Sequence, residues 1–182
     1  MRMPLGQGFS PEVQKRAANI TTLVIDVDGV LTDGRIVYAE YGDELKLFDV
    51  KDGAGLIFWH RAGLKSAIIT ARTSRLMKRR AKEMRVDVLI QGALMKLPPY
   101  ERLLKRWRLR DEQVCCIGDD LMELPLLQRV GLAVTVPSGV EEVRRISHYI
   151  TQHPGGRGAV REVIDQILKA KGLWDAVVDR YQ

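Results

Sequence analysis

Residues 21–27 form an apolar, β-branched run broken only by Asp26, and the run stops at Asp28-Gly29. A run of this length and composition reads as a strand buried on both faces of a parallel sheet. Similar short runs recur at residues 65–70, 86–90, 114–117, 132–136 and 149–151. Helical stretches alternate with them at 53–61, 74–84, 98–107, 121–129, 140–146 and 159–171, with Pro98 expected at a helix entry and Pro125 in a first turn or at a kink. The expected fold is therefore α/β: a three-layer, doubly wound, mostly parallel sheet. Residues 35–39 and 44–48 alternate around Tyr41-Gly42-Asp43 and predict a β-hairpin, a flap at about residues 34–49. No linker or repeat divides the 182 residues, so one domain spanning 1–182 is expected, with a tail at about 172–182 that carries Trp174.

Composition narrows the function. No apolar run approaches the ~20 residues that cross a bilayer, so no membrane partner is expected. The first ten residues lack the apolar centre of a secretion signal. Cys115 and Cys116 are adjacent and set in an apolar strand; they read as buried free thiols, which suits a reducing, cytoplasmic setting. The net charge of +6 is spread along helices, as in Lys78, Arg79, Arg80 and Lys82, with few aromatics between. Such faces are solvated, so no nucleic acid is expected, and a positive field suits an anionic small molecule.

In an open parallel sheet ligands bind beyond the carboxyl ends of the strands. The residues there are Asp26, Asp28, Thr70, Lys96 and Asp119-Asp120. In a strand the carboxylates of Asp26 and Asp28, two residues apart, point the same way. Like charges buried together need a cation or a proton to offset them, and Mg2+ does so with oxygen ligands. Asp119-Asp120 adds a second acidic pair at the same edge. Alone, Asp-Val-Asp-Gly is compatible with a turn or a calcium loop, Thr70 with a helix cap, Lys96 with a solvated surface, and Asp119-Asp120 with a helix N-terminus. Together and in this order they suit phosphoryl transfer, which relies on positioning and charge stabilisation. Asp26 would attack phosphorus and Asp28 would act as general acid and base, while Thr70 and Lys96 would receive phosphate oxygens.

At these residues the sequence resembles the haloacid dehalogenase superfamily of phosphatases. Asp26-Val27-Asp28-Gly29-Val30 matches its first motif, Thr70 the second, Lys96 the third and Gly118-Asp119-Asp120 the fourth. The resemblance implies that Asp26, the backbone carbonyl of Asp28 and Asp119 hold Mg2+, with Asp120 supporting the metal shell through water. Residues 26–34, Phe48-Asp49-Val50-Lys51-Asp52-Gly53, Gln91-Gly92 with Lys96, and residues 155–162 are similar to the 3-deoxy-D-manno-octulosonate 8-phosphate (KDO 8-phosphate) phosphatase family. That family is capless and acts in lipopolysaccharide synthesis. Its subunits form homotetramers through their hairpins and cover one another's sites.

The resemblance implies a sugar acid phosphate substrate, with Arg72, Arg80 and Arg157 as substrate-binding residues. Arg72 suits a forked pair with a substrate carboxylate, whereas phosphatases of nine-carbon sugar acids tend to glutamate there. The sequence departs from the family at Ala71, where glycine is usual, at Glu123, where aspartate is usual, and at Pro137-Ser138-Gly139. An isolated hairpin is marginal in water, and Ile36, Tyr38, Leu45 and Leu47 would leave it apolar, which independently predicts a homo-oligomer. Two other readings are a phosphatase of a nonulosonate 9-phosphate and a non-enzymatic phospho-accepting or binding domain. The latter has no need of an acid at Asp28.

Overall fold

The structure, a computed structural model, describes residues 8–40 and 44–182. Six strands form one parallel sheet: β1 (Thr22–Ile25), β4 (Lys65–Ile69), β5 (Val88–Ile90), β6 (Val114–Ile117), β7 (Leu132–Thr135) and β8 (Tyr149–Ile150). Their order is β5-β4-β1-β6-β7-β8. The chain winds outward from β1 to β5, then returns to lay β6 against the other side of β1 and winds outward again. The switch point therefore lies between β1 and β6, paired in register from Thr22 opposite Val114 to Ile25 opposite Ile117.

The helices are α1 (Pro11–Asn19), α2 (Val50–Arg61), α3 (Arg75–Glu83), α4 (Leu97–Trp107), α5 (Leu124–Leu127), α6 (Glu141–Ile146), α7 (Ala159–Ala170) and α8 (Trp174–Val178). Strand alternation sends Leu23, Ile25, Cys115 and Ile117 to one face of the sheet, where α1, α2, α3 and α7 supply Val13, Leu56, Met77 and Ile164. Val24, Val114 and Cys116 face the other side, with Tyr100 and Leu103 of α4, Leu126 of α5 and Val143 of α6. The adjacent cysteines thus belong to opposite layers, both buried as free thiols.

The helix at Pro11–Asn19 was not expected from the sequence. Ser10 caps it by accepting from Val13 N, and Val13 and Ala17 bury its narrow apolar stripe. The expected helix at 121–129 splits into a 3-10 turn, Leu121–Glu123, followed by α5 with Pro125 in its first turn, where the missing N–H does no harm. Among the described residues, strand pairing in the flap is confined to β2 (Val37–Tyr38) and β3 (Glu44–Leu45), which are antiparallel. The expected turn Tyr41-Gly42-Asp43 lies outside the described residues.

Candidate active site

β1 ends at Ile25, and the chain turns at once: the N–H groups of Val30, Leu31 and Thr32 all donate to the Val27 carbonyl. This turn overrides strand parity. The carboxylate of Asp26 faces inward and accepts from Lys96 Nζ at 2.5 Å. The carboxylate of Asp28 faces the flap, paired with Lys46 and lying 3.9 Å from Arg72 Nε. The two carboxylates thus part company: Asp26 joins the buried centre and Asp28 its rim. Gly29 makes the close approach possible. Its φ is +96°, and a Cβ there would meet Asp119 Oδ2 at 2.0 Å.

Asp119 follows β6 at the switch point. Carboxylate oxygens of Asp26, Asp119 and Glu123 all lie within 4.8 Å of one another. Burial pushes the Asp119 carboxyl up to about 7, aided by the charges of Asp26, Glu123 and Asp120. Burial likewise raises Asp26 to about 6, although Lys96 opposes the shift. Lys96 is nearly buried and pairs with both Asp26 and Glu123; burial alone would lower its pKa, but the two carboxylates outweigh that and raise it. Three converging carboxylates with a single lysine leave negative charge in excess. A hard divalent cation such as Mg2+ fits this all-oxygen set.

Glu123 is the residue whose role the sequence did not disclose. It stood out as a departure from the usual aspartate, yet the structure gives it the buried ion pair with Lys96 and a place among the three carboxylates. It also accepts from Asp120 N at 3.0 Å. The Asp120 carboxylate does not join the cluster. It accepts from Leu121 N at 2.7 Å and so caps the 3-10 turn that carries Glu123.

Thr70 is buried at the end of β4. Its own N–H donates to the Ile90 carbonyl at 2.9 Å, so the hydroxyl is what it has left to offer a phosphate. Arg72 reaches from the following loop toward the flap, donating to Glu44 Oε1 at 2.8 Å. Arg80 serves the flap base instead: Nη2 donates to the Asp49 carbonyl at 2.9 Å and the guanidinium lies over the Phe48 ring. Arg157 is exposed and lines a cleft with Asp33, Phe48, Asp49 and Gly156. The structure therefore brings Asp26, Lys96 and Asp119 together, sets Asp28 and Arg72 at their rim, and leaves Arg80 and Arg157 on the flap side.

This arrangement has known counterparts. Residues 80–164 match the haloacid dehalogenase-like hydrolase family. The chain is 44% identical to the 3-deoxy-D-manno-octulosonate 8-phosphate phosphatase of Yersinia pestis over 88% of its own length and 86% of that protein's. The chain belongs to the KDO 8-phosphate phosphatase family. The same family relationship appears in three dimensions. The family enzyme from Moraxella catarrhalis, solved with magnesium ion, phosphate ion and KDO, superposes with a TM-score of 0.92 at 42% identity, covering 94% of this chain and 98% of that one. The cobalt-bound family enzyme from Haemophilus influenzae gives a TM-score of 0.84 at 32% identity over 88% and 94%.

Proposed function

We propose that this chain is a magnesium-dependent phosphatase that converts KDO 8-phosphate to KDO and inorganic phosphate. The observation that carries the reading is the convergence of Asp26, Asp119 and Glu123 at the switch point beside the buried Lys96. Asp26 and Asp119, the backbone carbonyl of Asp28 and, on this geometry, Glu123 would hold Mg2+. The ion supplies positive charge that offsets the carboxylates and the phosphate.

An Asp26 oxygen attacks phosphorus, and the bond from phosphorus to the sugar oxygen breaks. Asp28 gives its proton to that leaving alkoxide, and an aspartyl-phosphate remains on Asp26. Asp28, now a carboxylate, takes a proton from water as the water attacks phosphorus, releasing phosphate and restoring Asp26. Lys96 keeps Asp26 ionised and oriented, and the Thr70 hydroxyl donates to a phosphate oxygen. Arg72 recognises the sugar acid's carboxylate. Asp120 acts indirectly by capping the turn that positions Glu123.

The described residues act as one phosphatase domain with a flap. Ile36, Val37, Tyr38, Leu45, Leu47 and Val50 are all exposed on or beside that flap. An apolar patch of this kind supports a homotetramer built through the hairpins. Among the described residues no helix is long and apolar enough to cross a membrane. A cytoplasmic place matches the buried free thiols. The deciding experiment measures phosphate release from KDO 8-phosphate and from a nine-carbon 9-phosphate, with Mg2+ or EDTA, beside Asp26→Asn. Release from KDO 8-phosphate that needs Mg2+ and vanishes in Asp26→Asn is expected; preference for the nine-carbon ester would reassign the substrate.

A further inference from the structure

The rim of the site holds four alternating charges. Lys46, from the flap, pairs with Asp28 and lies 3.5 Å from Glu44 Oε1. Arg72 Nη2 lies 2.8 Å from that same Glu44 oxygen, and its Nε is 3.9 Å from Asp28 Oδ2. One carboxylate oxygen of Glu44 therefore engages both cations. Burial would raise the Glu44 carboxyl, but Arg72 and Lys46 outweigh it and hold it below the ordinary value.

We infer that Glu44 is an exchangeable counterion, occupying on Lys46 and Arg72 the place of the substrate's carboxylate, which displaces it on binding. The inference rests on the proposed sugar acid phosphate substrate and adds a residue that sets its specificity.

Three observations carry it. First, Glu44 makes only a one-point contact with the guanidinium, while Arg72 Nε is buried with no hydrogen-bond acceptor among the described residues. An incoming carboxylate that took both Nε and Nη2 would form the stronger forked pair. Second, the contacts that must break are loose: Lys46 Nζ lies 3.5 Å from the Glu44 oxygen and has Asp28 as its nearer partner. The Arg72 and Glu44 side chains are 38% and 18% exposed, and partly solvated pairs contribute little. Among the described residues, the strand pairing that holds Glu44 is two residues deep, Val37 with Leu45 and Tyr38 with Glu44. The contrast is Lys96, 3% exposed between Asp26 and Glu123. Third, charge complementarity favours it. With Glu44 in place, part of the positive charge of Lys46 and Arg72 is already offset, so a substrate carboxylate meets a weaker attraction there. Moving Glu44 aside frees that charge for the incoming carboxylate.

The test is Glu44→Gln, which keeps the shape and the acceptor oxygen but removes the charge, with Glu44→Asp as the charge-preserving companion. KM is measured for KDO 8-phosphate and for a pentose 5-phosphate that lacks a carboxylate. In Glu44→Gln the ratio of the first KM to the second is expected to fall about tenfold, while Glu44→Asp keeps the wild-type ratio. Calorimetry with KDO alone should show about tenfold tighter binding to Glu44→Gln. An unchanged or increased KM ratio, or KDO binding no tighter than wild type, overturns the inference. Should the wild-type chain cleave the pentose ester but not KDO 8-phosphate, the proposed function fails instead, and KDO calorimetry on the two chains still decides the role of Glu44.

Discussion

Gly155 packs on Gly29 so closely that a Cβ built on Gly155 would sit 1.7 Å from the Gly29 carbonyl oxygen. The neighbouring Gly156 N–H donates to the Val30 carbonyl at 2.9 Å. The glycine loop before α7 is thus a backbone buttress beneath the turn that carries Asp26 and Asp28. Asp52 of α2 anchors the other end of this loop, accepting from Gly158 N at 3.3 Å and Arg161 N at 2.8 Å. Two motifs far apart in sequence, around residues 52 and 155, therefore meet to support the nucleophile.

Gly155→Ala should displace the nucleophile turn, because the added Cβ overlaps the Gly29 carbonyl oxygen. We expect turnover to fall by at least about tenfold, since a shift of ~1 Å at a reacting group costs far more than that. Stability should drop by about 1–3 kcal/mol, the usual range for overpacking. Steady-state kinetics and urea unfolding check both. Wild-type turnover in a folded Gly155→Ala variant would show that the loop does not position the turn.

Lys96→Met removes the only cation paired with Asp26 and Glu123 among the described residues. Breaking a buried pair leaves its partners unbalanced, so the metal-free protein should lose about 3–5 kcal/mol. Turnover should fall by about 10²–10³, as for loss of a preorganised charge-stabilising donor. Because Mg2+ relieves the same carboxylates, the stability deficit should shrink in excess Mg2+. Paired urea titrations in EDTA and in Mg2+ measure this; equal deficits in both would deny that Lys96 and the metal share ligands.

Leu47→Asp places a charge on an exposed flap side chain that makes no contribution to the core. If the apolar flap surface joins subunits, this change should dissociate the assembly with little effect on the fold. Analytical ultracentrifugation beside circular dichroism separates the two. A wild-type chain that sediments as a monomer would remove the basis for the tetramer.

The sheet and the position of its ligand edge were legible because short apolar strands end in Asp, Thr or Gly-Asp, a local pattern. Asp26, Asp119 and Thr70 could be singled out on that basis, whereas Lys96 lies six residues beyond β5, at the entry to α4. Helix α1 was not, because Val13 and Ala17 are few among Glu12, Gln14, Lys15 and Arg16, and only tertiary packing, chiefly against α7 and also against β7, gives their stripe a partner. Glu44 and Lys46 were hidden for a different reason. On an alternating hairpin, charges read as the solvent face, and nothing local reveals that Lys46 is nearly buried against Asp28. Glu123 showed itself as an unusual residue, but its partnership with Lys96 joins residues from different strand ends and exists only in three dimensions.

The carboxylates at the switch point make a distinctive pH dependence. In the metal-free protein burial holds Asp119 near 7 and Asp26 near 6, against an ordinary 3.8. Asp52, also buried, is raised to about 6. A raised acid means that the folded chain binds protons more tightly than the unfolded one. The resulting stability is fully present below about pH 4 and is lost as pH rises through 6 to 7. In EDTA, stability should therefore fall between pH 4.5 and 7.5. Mg2+ competes with those protons, so its affinity should weaken about tenfold per unit as pH drops below 7, and more steeply below 6. Saturating Mg2+ should then reverse the trend, making the protein more stable at pH 7.5 than in EDTA while adding little at pH 4.5. Guanidinium unfolding at both pH values, with and without Mg2+, measures all four corners. Stability in EDTA that rises with pH would mean that Asp26 and Asp119 do not share one buried site.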